Sequence, residues 1–153
     1  MTTKEDLIFK DGFFKVVDGE SPAAGNAVKL SSGELVLTSS EDDPLCIGIV
    51  QESFIQTDAS MQTSVKDCLG NTYNHSVVKK VQKVKSSGIS AAFLDDGGGA
   101  ISAGDLLTTC TKSGFLQKQA ASGVQAYTVA QAVVDAVFDG NGEQLDAVVL
   151  LRG

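Results

Sequence analysis

Residues 100–118 read AISAGDLLTTCTKSGFLQK. A Gly-Asp pair opens a short apolar–polar run, a Ser-Gly pair interrupts it, and a second short run follows. Each part has a physical meaning. Glycine accepts the positive φ of a tight turn, and the neighbouring Asp side chain bonds its own main chain. A Ser-Gly pair between two short runs marks a hairpin connection. The runs themselves are brief, rich in Leu and Thr, and bounded by Gly, Ser and Asp, as strands are.

The same phrase occurs further up the chain. Residues 24–37 read AGNAVKLSSGELVL. Gly25 matches Gly104 and Asn26 matches Asp105, while Val28 and Leu30 match the run that starts at Leu106. Ser32-Gly33 matches Ser113-Gly114 after a two-residue insertion, and Leu35 matches Leu116. A further apolar segment follows each copy, LCIGIVQES at 45–53 and YTVAQAVVDA at 127–136. There Ile47-Gly48-Ile49 matches Val129-Ala130-Gln131. Small residues at Gly48 and Ala130 suit a place where two backbones approach closely. The expectation is an internal repeat, 24–53 and 103–136, with 54–99 as an insertion.

The rest of the chain reads in the same way. GFFKVVDG (12–19) is a strand between glycines, FDGNG (138–142) is an Asp-Gly turn, and LDAVVLLRG (145–153) reads as a closing run buried on both faces. LDDGGGAIS (94–102) is a wide surface loop. Residues 75–85 and 126–137 fit helix and strand alike. The fold expected is mainly β, a small β-barrel or β-sandwich built from two related hairpin units, with at most one or two short helices. Residues 1–12 read as an N-terminal arm and 13–153 as a single β-rich domain.

The totals narrow the function. A chain of 153 residues suits one domain and can bury roughly 70% of its unfolded surface. Its 16 glycines and 2 prolines are those of a turn-rich globular protein. The net charge of −7 argues against nucleic acid, which calls for a concentrated basic face. Lys79, Lys80, Lys83 and Lys85 cluster without an aromatic or an Arg among them and read as a solvated face. No run is long enough to cross a bilayer, and the first residues lack the apolar core of a secretion signal, so the expected place of synthesis is the cytoplasm.

Catalytic patterns are lacking. Cys46, Cys68 and Cys110 are odd in number and far apart, with no CxxC, and read as reduced, half-buried side chains. The one histidine, His75, has no signature around it, and pairing it with Cys68 finds no local support. Glu41-Asp42-Asp43 and Asp95-Asp96 lack the alternation of a calcium loop. Gly97-Gly98-Gly99 lacks the following Lys and Ser/Thr of a phosphate cradle. No catalytic residue, metal or cofactor is assigned, and the chain reads as a non-enzyme.

Taken together, AISAGDLLTTCTKSGFLQK, then VAQAVVDA and the final VVLLRG, resemble small phage virion modules. The first copy, NAVKLSSGELVLTSSEDDPLCIGIVQES, is similar to the central part of tailed-phage head decoration (capsid cement) proteins. The resemblance covers residues 24–53 and 100–153, while 54–99 match no named family. It implies a β-rich homo-oligomer, commonly a trimer, on the capsid exterior of the virion, bound to the major capsid protein and stabilising it by bridging coat subunits. It implies no catalytic residue. Short members of that family start with a Pro/Gly-rich arm, whereas this chain begins TTKEDLIFKDGFF. Leu7, Ile8 and Phe9 are the capsid-docking residues expected here, an apolar patch able to add to an exposed strand of the shell, or else the first strand of the core. The second function carried forward is a phage tail or appendage module, for host-surface binding or self-cleaving assembly.

Overall fold

The computed structural model describes residues 13–17, 19–51, 62–66, 68–70, 72–76, 81–140 and 144–152. Among these residues every regular element is a strand, as expected of a mainly β chain. The strands are β1 (Phe13–Lys15), β2 (Ala27–Ser31), β3 (Glu34–Leu37), β4 (Cys46–Val50), β5 (Gln62–Lys66) and β6 (Thr72–Ser76). They continue with β7 (Val81–Lys85), β8 (Ser87–Leu94), β9 (Leu106–Thr109), β10 (Leu116–Lys118), β11 (Ala130–Ala132) and β12 (Gln144–Leu151). Of the two ambiguous stretches, 75–85 gives the end of β6 and all of β7, with 77–80 outside the described residues, and 126–137 gives β11.

One sheet runs β1-β7-β4-β2-β3, and the other closes into a barrel, β10-β8-β12-β11-β9. The two orders are the same. β8, β9, β10, β11 and β12 take the places of β1, β2, β3, β4 and β7, and all neighbours in each sheet are antiparallel except the closing pair. That closing pair is parallel in both, Leu94 with Leu116 in the barrel and Val16 with Leu35 in the first sheet. The chain is therefore two barrel-like units of one topology. β5 and β6 pair with each other from Gln62↔Ser76 to Lys66↔Thr72 and lie between β4 and β7 in sequence.

The agreement extends to single hydrogen bonds. Asn26 Oδ1 accepts the Ala23 N–H at 2.7 Å, and Asp105 Oδ2 accepts the Ser102 N–H at 2.8 Å. Gly25 N–H donates to Val50 O, and Gly104 N–H donates to Ala132 O, both at 2.8 Å. Thr38 N–H closes on Ala27 O at 3.1 Å, as Gln119 N–H does on Leu106 O at 2.8 Å. The Gly-Asx pair acts alike in both: glycine turns the chain, and the Asx side chain caps the turn that delivers it into β2 or β9.

Alternation along these strands decides the core. Ala92, Leu94, Leu107, Leu116, Ala130, Ala132, Val148 and Leu150 point into the second barrel and are buried. Ala27, Cys46 and Ile49 of the first unit join that same cluster, so the larger core straddles both units. The first unit's own cluster is smaller, with Val16, Val28, Leu35 and Val50. Gly48 is required by a close approach: a Cβ there would lie 2.2 Å from the Lys85 carbonyl oxygen.

Candidate interaction surface

The seam between the units comes first, because it holds the outer surfaces in place. Gly114, in the turn between β9 and β10, wedges between the ends of β2 and β3. It accepts the Ala27 N–H at 2.8 Å and donates to Thr38 O at 2.8 Å. Asn26 Nδ2 donates to the same Gly114 oxygen at 3.4 Å. A Cβ on Gly114, whose φ is +78°, would sit 2.7 Å from Asn26 Nδ2 and 3.0 Å from Leu37 Cδ2. Beside it, Thr109 Oγ1 accepts the Asp43 N–H at 2.8 Å and donates to Ser40 O at 2.7 Å.

Asp43 is the buried charge of the seam, 2.8 Å from Lys29 Nζ. Burial alone would raise its pKa. The Lys29 hydrogen bond, the Leu45 N–H and the positive charges of Lys29 and Arg152 outweigh that and hold it below the ordinary value. Arg152 ties the end of β12 to both units, donating to Ala126 O at 2.6 Å and to Pro44 O at 3.1 Å. A groove of about 420 Å³ opens beside it, with Phe14, Leu30, Ile47 and Val84 on its apolar side. The terminal nitrogens of Arg152 are engaged by those carbonyls.

The outer face of β8 and β12 has a different character. Ile89 lies opposite Val149, Ala91 opposite Ala147, Phe93 opposite Leu145, and Ser87 opposite Leu151. No charged residue stands in this set, and the ammonium that a hydrogen bond brings to it is Lys85 Nζ, which donates to Ile89 O at 2.7 Å. Ile89 is 64% exposed, and Leu145 and Leu151 are exposed too. Val133, whose N–H bonds Ala147 O, extends the strip beyond β11. Phe93 is the half-buried end of it, stacked on Phe115 with 5.3 Å between centroids. The closing run, read as buried on both faces, therefore buries only one. The barrel interior takes Val148 and Leu150; on the other face Phe93 and Leu145 lie beside Gly25 of the first unit, while Ile89 and Leu151 are exposed. The matching positions in β1 and β7 of the first unit include Lys15, Lys83 and Lys85. A contiguous apolar face on a protein surface marks an interaction site.

The sequence-expected docking residues Leu7, Ile8 and Phe9 lie outside the described residues, as do Lys79 and Lys80. Cys46 and Cys110 are buried and Cys68 is exposed in the β5–β6 turn, so the half-buried expectation fails at all three. The two interior positions come from strand alternation and the barrel wall; the turn leaves Cys68 in solvent. Burial pushes the thiols of Cys46 and Cys110 up to about 11. His75 stands on β6 opposite Thr63. Among the described residues no three His, Cys, Asp or Glu side chains gather where a metal ion could be held. The β8–β12 face escaped sequence reading because its residues are of the types found in cores.

Comparison with known proteins gives a likeness of fold. No family model matches the chain, and no curated protein matches it. Among solved structures, it is similar to the C-terminal fragment of bacteriophage phi29 gene product 12. That likeness has a TM-score of 0.53 and 13% identity, over 91% of this chain and 98% of the fragment. The pre-mature form of the same phage protein also matches, with a TM-score of 0.56 and 12% identity. There the match covers 91% of this chain and 21% of the longer one, so this chain spans about a fifth of that protein's length. The fold is one that a phage protein carries in its C-terminal part.

Proposed function

We propose that this chain is a structural component of a tailed-phage virion whose work is contact rather than chemistry. It sits on the outer capsid surface as a homo-oligomer, taken here as a trimer, and stabilises the shell by bridging major capsid protein subunits. The observation that carries this reading is the exposed apolar strip of β8 and β12, whose own side chains carry no charge, on a protein of net charge −7. Burying apolar area against a coat subunit stabilises the complex by about 25 cal/mol per Å² before the costs of association. Three copies of one modest contact then hold far more firmly than one. The fold likeness to a phage protein supports the virion setting, and Leu7, Ile8 and Phe9 are assigned to the same docking.

The test is occupancy on purified heads that lack the protein. Ile89→Lys and Leu151→Lys place a charge on the strip at exposed positions. Each is expected to lower occupancy at least about tenfold, the effect of 1.4 kcal/mol. Removing residues 1–11 tests the arm in the same assay. Wild-type occupancy by both lysine variants overturns the role of the strip.

A second reading is an appendage or tail module, and one observation favours it. The likeness is to a C-terminal fragment of a phage protein and to the pre-mature form of that protein, a terminal part of a longer chain. Copy number per particle separates the two, with hundreds on a head and few on an appendage. Intact mass after long incubation reports self-cleavage as two shorter chains.

A further inference from the structure

The contact between the two units is head-to-tail, and among the described residues one half of it is left unused at either end. In the seam, the β9–β10 turn of the second unit fills a slot in the first, where Gly114 bridges Ala27 N–H and Thr38 O at 2.8 Å each. Matching register places Leu106 where Ala27 stands and Gln119 where Thr38 stands. At that place the second unit has a pocket of about 280 Å³, bounded by Asp105, Leu106, Lys118 and Gln119. Its far wall is the 120–123 loop, held by Gln119 Nε2 bonds to Ala121 O at 2.8 Å and Gly123 O at 2.7 Å.

The matching turn is on the first unit. Gly33 takes the place of Gly114 at the β2–β3 connection, with φ of +79° against +78°. Ser31, Ser32 and Gly33 are exposed, and a Cβ on Gly33 would meet nothing within 4 Å. In the seam, Leu37 packs beside Gly114, and Phe115 follows it. The positions equivalent to Leu37 and Phe115 at the unused ends are Lys118 on the slot and Glu34 on the turn. Two apolar positions of the internal contact are thus opposite charges at the unused ends.

We propose that the Ser32-Gly33 turn of one copy seats in the Leu106–Gln119 slot of the next, with Glu34 of the first copy meeting Lys118 of the second. Both side chains carry half-exposed surface ion pairs within their own chain, Lys118 with Asp105 at 3.3 Å and Glu34 with Lys15 at 3.0 Å. Such pairs contribute about 0–1 kcal/mol, so exchanging partners costs little. A head-to-tail contact closes into a ring when its rotation allows and otherwise extends as a filament. A closed trimer would be a ring of alternating first and second units. This deepens the homo-oligomer reading above and uses none of the β8–β12 strip, so failure of capsid docking leaves it standing.

Sedimentation equilibrium of the full chain tests it, comparing wild type, Lys118→Glu, Glu34→Lys and the double variant. Wild type is expected to self-associate. Each single swap sets like charges together and weakens association at least about tenfold, and the double swap restores it to within about threefold. Thermal unfolding of the four proteins shows that the singles remain folded. A monomeric wild type, association indifferent to both swaps, or a double variant no better than the singles overturns the proposal. Head occupancy of the single variants, measured alongside, reports capsid docking separately.

Discussion

At Gly48 the backbone of β4 runs against β7 with no room for a methyl group. Ala130 fills the matching place in the second unit, opposite Leu150, and carries its methyl there without difficulty. Gly48→Ala is expected to cost about 3 kcal/mol, at the upper end of overpacking, because the obstacle is a backbone carbonyl and not a side chain that can turn. Urea denaturation measures it. Titrating groups set the pH limits. Asp43 is held below its ordinary value of 3.8, so its contribution is complete above that value and is lost as pH falls through the depressed one. Asp105 behaves likewise, held low first by the Ser102 N–H and then by Lys118, though it is more exposed and contributes less. Cys46 and Cys110 act at the other end. Stability is complete below their ordinary value of 9.0 and is lost as pH rises through about 11, where the buried thiols are forced to ionise. Denaturation midpoints are expected to be flat between about pH 5 and 8 and to fall on both sides.

At the scale of elements, much was legible and some was not. Gly-Asx turns, Ser-Gly turns and short Leu/Val/Thr runs are local signals, and they point to strands whatever the rest of the chain does. That is why the mainly β fold could be read from AISAGDLLTTCTKSGFLQK and AGNAVKLSSGELVL. The segments at 75–85 and 126–137 resisted because their Val and Ala spacings satisfy both periods, and long-range pairing settled them. β7 is held between β4 and β1, and β11 between β9 and β12. The surface strip was illegible for a deeper reason. LDAVVLLRG reads as core on both faces, and only barrel closure assigns Val148 and Leu150 inward while leaving Leu151 outward. The same logic gives a prediction. Ile89→Lys and Leu151→Lys are expected to change stability by no more than about 0.5 kcal/mol, because both positions already meet solvent. Calorimetry checks that, so that any loss of docking is assigned to the surface and not to the fold.

At the scale of the whole molecule, the two units are unequal. The second barrel borrows Ala27, Cys46 and Ile49 from the first, whose own buried cluster among the described residues is four aliphatic side chains. The Gly114 backbone and the Thr109 and Arg152 side chains add hydrogen bonds to main-chain atoms across the seam. One cooperative thermal transition is therefore expected for the full chain. A fragment of residues 86–152, deprived of the borrowed side chains, is expected to show none, as near-ultraviolet circular dichroism on heating would report. A sharp transition in that fragment would mean that the shared core is dispensable.

Each unit is joined edge to edge by a single parallel pairing, where Val17 N–H reaches Leu35 O at 3.0 Å and Asp95 N–H reaches Leu116 O at 2.8 Å. Long antiparallel ladders such as β8–β12 pair eight residues, whereas these staves part on losing a single bridge. Breathing should begin there, and deuterium should reach the amides of Val17 and Asp95 well before those of Val148 and Ala92. A partner that waits for the cylinder to gape would find its way in along that line.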